Sequence, residues 1–308
     1  MGLIILDKYP KFSLKECFNK YKTFIKFLLG QKRGPDVVIS SLLSGLKELN
    51  VVCKYNVKVK DIKLDDAVYI NGSVETLKWA IEAKKRGEIK KIIVGPVMSV
   101  LPSDHGSIMM DKEIDLILFP SQWTKNHWLS FERKLENKIQ IWPAGVDFPD
   151  VEQKDKNLIL IYYKKAPKEL FNFIKDFFDK NERKYKIIKY GKYNQKNYFS
   201  LLGTTKMAIF LSEAESQGLA MFEAWARGVP TLVWNRGYWQ FGNHRWKSEK
   251  ISSPYLVDVC GVFFKGADDF EEKFKIFVDK AGTFRPREYI MNNFTNKKIA
   301  ENFLKLIN

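Results

Sequence analysis

Short apolar runs recur along the chain at the length of buried strands, and longer stretches with a single apolar face separate them. In the first half, residues 3–7 (LIILD), 51–57 (VVCKYNV), 67–71 (AVYIN), 91–95 (KIIVG), 115–120 (DLILFP) and 139–143 (IQIWP) predict strands. These runs suit a sheet covered on both faces. Helices are predicted between them at 14–29, 36–49, 73–86 and 122–134. Three of these have readable starts: Gly34-Pro35-Asp36, Asn71-Gly72-Ser73 and Pro120-Ser121.

The polar stretch 145–157 reads as a linker, and the alternation then restarts. Strands are predicted at 158–163, 185–191, 207–212, 231–234 and 261–264. Helices fill 167–180, 195–203, 217–227 and 268–281, and a terminal one covers about 295–307. Strand–helix alternation in both halves predicts an α/β chain of two Rossmann-like domains with parallel sheets, 1–149 and 150–308. Ligands of such sheets bind at the carboxyl ends of strands, and two facing domains make the interdomain cleft the default site.

Composition narrows the function classes. No apolar run reaches the ~18 residues of a membrane span, and MGLIILDKYP reads as a first strand rather than a secretory leader. Cys17, Cys53 and Cys260 are odd in number and far apart, which argues against a disulfide framework or zinc site and for a reducing cytoplasm. The 52 Lys+Arg against 36 Asp+Glu give a net charge of +16, spread over the chain rather than gathered in one arm. That distribution argues against a nucleic-acid-binding module.

The chemistry concentrates at EAESQGLAMFEAWARGVPTLVW, residues 213–234. A predicted strand, 207–212, leads through a turn at Glu213–Gln217 to Gly218, which starts a helix. Free amides at a helix N-terminus hold phosphate well, and Gly218 lets a ligand approach the backbone. Glu215 and Glu223, eight residues apart, can accept hydrogen bonds from sugar hydroxyls. The stretch Glu215-Ser216-Gln217-Gly218-Leu219-Ala220-Met221-Phe222-Glu223, with AWARGVPTLV after it, resembles the signature of retaining GT-B glycosyltransferases of the family 4 type. Ser216-Gln217 stands where that family commonly has Gly-Phe. IQIWPAGVD, with Ala144-Gly145-Val146-Asp147, and REYIMNNFTNKKIAENFLKLI resemble further parts of it.

The resemblance implies GT-B architecture, with an acceptor-binding N-terminal domain and a donor-binding C-terminal one on which Ser216, Gln217, Gly218 and Leu219 line the donor. The last helix would pack back on the N-terminal domain. Glu215 would contact the transferred sugar and Glu223 the ribose. The family grips the donor diphosphate with an arginine and a lysine after the first C-domain strand. Here Lys164, Lys165 and Lys168 follow it, and Lys164 and Lys168 take those roles with charge kept and the bidentate fork lost. His105 lies in a loop where the family has a histidine near the acceptor, and Gly34-Pro35 resembles a shortened glycine loop facing the diphosphate.

The expected activity is therefore transfer of a sugar, with retention, from a nucleotide-sugar to a glycan, lipid-linked or small-molecule acceptor. No metal or other cofactor is expected, since no Asp-x-Asp occurs and lysines plus amides can stabilise the departing diphosphate. Two alternatives stay open: a nucleotide-sugar epimerase, and a catalytically silent nucleotide-sugar or glycan-binding protein of the same fold. Trp234, Trp239 and Trp246 in a predicted long loop read either as an aromatic lip for a glycan or as loop packing. Leu14, Cys17, Phe18, Tyr21, Phe24, Ile25 and Leu28 form one stripe with lysines off it, either a core face or a contact with an anionic inner-membrane surface.

Overall fold

The computed structural model describes residues 2–7, 34–96, 98–148 and 156–307. The predicted helix at 14–29, with its apolar stripe, lies outside the described residues, as does most of the polar stretch before Leu158. The chain divides into two compact units: one built from the N-terminal strand, the segment ending at Gly145 and Asn296 onward, the other running Val146–Thr295. Among the described residues no helix is long and apolar enough to cross a membrane.

The first unit is a six-stranded, wholly parallel sheet. Strands β1 (Leu3–Leu6), β2 (Cys53–Tyr55), β3 (Ala67–Ile70), β4 (Lys91–Val94), β5 (Leu116–Phe119) and β6 (Ile139–Ile141) lie in the order β2-β1-β3-β4-β5-β6. Every residue of β1, β3 and β5 is buried, which is why their sequences are continuous apolar runs without alternation. Among the described residues, the helices of eight or more residues between them are α1 (Gly34–Glu48), α2 (Val74–Lys85) and α3 (Gln122–Leu129). The Ser73 hydroxyl caps α2 by accepting from the Thr76 amide at 3.2 Å.

Helix α3 stops five residues short of its predicted end. Ser130 Oγ donates to the His127 carbonyl at 2.6 Å, and the Glu132 carboxylate accepts from the Lys134 amide, starting a 3₁₀ segment at Arg133–Lys138. Both side chains compete with the helical ladder.

The last helix, α9 (Asn296–Ile307), belongs to this unit. Trp142 Nε1 donates to the Ile299 carbonyl at 3.0 Å, and the Phe303 ring meets Tyr69 and Trp142 edge-on or tilted. Gly45 of α1 makes the close approach possible, for a Cβ there would lie 2.0 Å from the Asn296 carbonyl oxygen. Gly45→Ala should force the two helices apart and cost about 1–3 kcal/mol as an overpacking substitution. Urea unfolding checks it, and an unchanged midpoint would show that the helices do not meet so closely.

The second unit is a five-stranded parallel sheet, ordered β13-β10-β9-β7-β8. Its strands are β7 (Leu158–Lys165), β8 (Tyr185–Lys189), β9 (Thr205–Ser212), β10 (Thr231–Trp234) and β13 (Gly261–Phe264). Helices α4 (Lys168–Lys180), α5 (Gln195–Thr204), α6 (Leu219–Ala226), α7 (Ala267–Asp279) and α8 (Pro286–Asn293) join or flank them. Alternate residues of β7 and β9 (Ile159, Ile161, Ile209, Leu211) pack with Phe178 of α4 and with Phe270, Phe274 and Phe277 of α7 in one aromatic-rich core. The sequence pattern did not single out α8, whose eight residues carry only two buried positions, Pro286 and Ile290.

The segment after β10, expected to be a long loop, is an antiparallel hairpin. Strands β11 (Tyr238–Phe241) and β12 (His244–Lys247) pair across Gly242-Asn243, with Trp239 opposite Trp246. Gly242 takes a left-handed φ of 55° there. Trp234 is not part of any lip: it is a buried β10 residue whose indole N–H donates to the Lys265 carbonyl at 2.9 Å.

Candidate functional site

In the second unit the sheet order reverses between β7 and β9, since the α/β crossovers leave from that point in opposite directions. The carboxyl ends of the strands flanking such a switch point frame a crevice that helices do not fill. Lys164 is the penultimate residue of β7, and Glu215 follows the end of β9. The structure brings these two together: Lys164 Nζ donates to both Glu215 oxygens, at 3.0 and 2.9 Å. The same ammonium lies 4.8 Å from the Tyr190 ring centroid. Ser212 Oγ donates to Glu215 Oε1 at 2.7 Å, and the Glu215 amide is anchored on the Ile251 carbonyl at 3.0 Å. Both side chains are largely shielded, with 29% exposure for Lys164 and 14% for Glu215. The carboxylate is thus fixed in direction and paired with a cation at the strand edge.

A second carboxylate lies beside it. Glu213 pairs with Lys165 of β7 and with Arg236, which follows β10. Arg236 also donates from Nε to the Tyr238 carbonyl at 2.8 Å, and its guanidinium lies 4.1 Å from the Tyr238 ring centroid. Three neighbouring strands therefore contribute three cations and two carboxylates at one sheet edge.

Gly218 turns the chain from this edge into α6. Its φ of 90° is left-handed, a conformation a side chain would strain. The helix begins at Leu219, two residues later than expected, because Gly218 is left-handed and Gln217 lies buried in the turn before it. Ser216 is half-buried in the same turn. The N-cap is Gly218, which has no side chain with which to cap the first amides of α6. Gly228, at a φ of 70°, ends the helix, with the Val229 amide donating back to the Ala224 carbonyl at 3.0 Å.

Glu223, one turn inside α6, accepts from Gln195 Nε2 at 2.6 Å. Beside it is a tyrosine cluster. The Tyr162 and Tyr193 hydroxyls are 3.0 Å apart, and Tyr198 donates to the Ala220 carbonyl at 2.7 Å. Burial raises the Tyr193 phenol to about 12; Glu223 and Glu215 push the same way, and the hydrogen bond to Tyr162 opposes them. Burial raises Tyr162 and Tyr198 as well. These phenols stay protonated at neutral pH and can donate.

Lys168 is not part of the cluster. It opens α4 as an exposed residue, four positions beyond Lys164, and belongs to neither ion pair. His105 and Gly34 belong to the first unit. His105 is exposed, in a turn where it, Gly106 and Ser107 all have positive φ. Gly34 opens α1 at the first unit's own switch point, between β1 and β3, where Asn71 Nδ2 donates to the Pro35 carbonyl at 3.1 Å.

Arg236, Gln195, Ser212 and Tyr193 escaped the sequence reading. Ser212 closes a strand, and the other three lie in segments whose position over the sheet edge follows only from the strand order. Among the described residues no group of three or more His, Cys, Asp or Glu could hold a metal ion.

No protein-family model matches the sequence, and no curated protein does either. Solved structures do match. The lipopolysaccharide outer core galactosyltransferase WaaB, in its apo form, is 12% identical over 100% of this chain and 99% of its own, with a TM-score of 0.64. Sucrose-phosphate synthase from Thermosynechococcus elongatus is 10% identical over 100% and 98%, with a TM-score of 0.55. An S. aureus TarM mutant in complex with Fondaparinux, alpha-GlcNAc-glycerol and UDP is 13% identical over 81% of this chain, with a TM-score of 0.54, and this chain spans 57% of it. At these identities the likeness is one of fold, and the fold is the α/β GT-B fold of glycosyltransferases.

Proposed function

We propose that the chain is a glycosyltransferase that moves a sugar from a nucleotide-sugar to an acceptor hydroxyl, with retention, in the synthesis of a glycan or glycoconjugate. The observation that carries this is the Lys164–Glu215 pair at the switch point of the second unit, immediately before α6 and its Gly218 N-cap. Such an arrangement can hold an anion at the helix N-terminus while a fixed carboxylate faces a sugar. The fold shared with WaaB, and with a TarM structure that holds UDP, supports the same choice of substrate class.

In this scheme the donor diphosphate lies against the α6 amides and Lys164. The bond from the anomeric carbon to the diphosphate oxygen breaks, and the bond to the acceptor oxygen forms on the same face. The departing phosphate oxygen takes the acceptor's proton, so no protein nucleophile is required. Glu215, held by Lys164 and Ser212, orients the transferred sugar and faces the positive charge that develops on it. Glu223, steadied by Gln195, takes the ribose hydroxyls.

The scheme uses fixed cations and amides where other enzymes use a divalent ion. Turnover should therefore survive EDTA. Complete loss, restored by manganese or magnesium, would rule the scheme out. A panel of nucleotide-sugars tests the function itself, with release of nucleoside diphosphate as the readout. Turnover of one donor supports a transferase, and thermal stabilisation by a donor without turnover supports the silent binding protein.

A further inference from the structure

Each cation at the sheet edge has a carboxylate partner, Lys164 with Glu215 and Lys165 and Arg236 sharing Glu213, which leaves one positive charge in excess. Further positive charge lies on the hairpin. From Arg236 to Lys247 the sequence RGYWQFGNHRWK contains no Asp or Glu. Its register, Tyr238 opposite Lys247 and Gln240 opposite Arg245, puts those four side chains on one face, since side chains alternate along a strand. Gln240, Arg245 and Lys247 are exposed, and neither Arg245 nor Lys247 has a carboxylate partner among the described residues.

This face is also tied to the candidate site. The Arg245 guanidinium lies 3.7 Å from the centroid of the Tyr238 ring, and Arg236, which pairs with Glu213, lies 4.1 Å from the same centroid. Asn235 holds the root, accepting from the Gly237 amide at 3.1 Å, and the Ser248 amide closes it on the Gly237 carbonyl at 3.1 Å. A ligand on the hairpin face is therefore positioned relative to Glu213, and Glu215 follows two residues on.

We propose that this face of the hairpin binds the acceptor, a role that the resemblance would give to the first unit, and that the acceptor is an acidic glycan carrying carboxylates. The Gln240 amide oxygen, whose Nε2 donates to the Gly242 carbonyl at 3.3 Å, and the hydroxyl of Tyr238 suit sugar hydroxyls, and the face has no aliphatic residue to enter a lipid surface. Arg245 and Lys247 stand two positions apart, roughly 7 Å along the strand, so each meets a separate single charge. That spacing suits carboxylates on a chain of sugars better than one doubly charged phosphate, which calls for converging donors. Calling the bound glycan the acceptor rests on the transferase reading; the binding itself does not.

The test is calorimetric titration with a galacturonate hexamer, maltohexaose and phosphatidylglycerol vesicles, at low salt and at physiological salt. The protein should bind the galacturonate and not the neutral hexamer. R245Q/K247Q should weaken that binding about 2- to 30-fold, the range for two exposed ion pairs. K180Q/K184Q removes the same charge from exposed sites just before β8, at the opposite edge of the same sheet, and should change it by less than about twofold, because distant charges are screened. No weakening by R245Q/K247Q, equal weakening by both variants, equal binding of maltohexaose, or binding of vesicles in place of the galacturonate would overturn the proposal. Titration with UDP, GDP and ADP separates the two ideas. If no nucleotide binds while the galacturonate still binds through the hairpin, the transferase reading falls and the surface stands.

Discussion

Glu215→Gln should lower kcat by about 10²–10³-fold, the usual loss when one preorganised group facing transition-state charge is removed. The carboxylate lies at the carboxyl end of β9 with two donors, Lys164 and Ser212, fixing its oxygens. In the proposed reaction its negative charge matters most when the sugar becomes cationic, so the donor KM should change less than kcat. Glu223→Gln should behave oppositely. Its contact with ribose is present in ground and transition states alike, so it should mainly raise the donor KM. Steady-state kinetics on the turned-over donor, with titration of the bare nucleoside diphosphate, checks both. Loss of nucleotide affinity in Glu215→Gln with affinity kept in Glu223→Gln would show that the two roles are reversed.

Lys164→Ala should lower kcat/KM by about 10- to 150-fold, the equivalent of a charge-assisted hydrogen bond to phosphate worth roughly 1.5–3 kcal/mol. The same change removes the cation that holds Glu215, so kcat should fall together with donor affinity. Lys168→Ala should do less, about 5-fold at most, because an exposed charge acts through solvent. Equal effects at the two positions would mean that the lysines act only as a diffuse positive field. No effect at either would assign the whole run to the solvated surface.

The strands of both units were legible where burial is continuous, as in β1, β3, β5 and the 207–211 stretch of β9, because such strands are apolar without interruption. The turn at Gly218 and the helix after it could be read from local signals, a strand, a glycine and a helix in sequence. What local signals could not give was order across the sheet. That β7 and β9 are neighbours places Lys164 on Glu215, although 51 residues separate them. Arg236 was hidden for a related reason. Its segment mixes aromatic and basic residues without a buried face, so it read as a loop, whereas cross-strand pairs such as Trp239–Trp246 make it a hairpin. Helix α3 ends before residue 134 because Ser130 and Glu132 break the ladder with their own hydrogen bonds.

Everything proposed for Glu215 and Lys164 turns on transfer of a sugar with retention. Proton NMR resolves this when an α-linked nucleotide-sugar is turned over and the anomeric signal of the new glycosidic bond is recorded from the first minutes. Retention requires that this signal be that of the α-anomer from the start. A β-anomer as the first product would mean inversion, and the same-face departure and attack proposed at this site would be wrong.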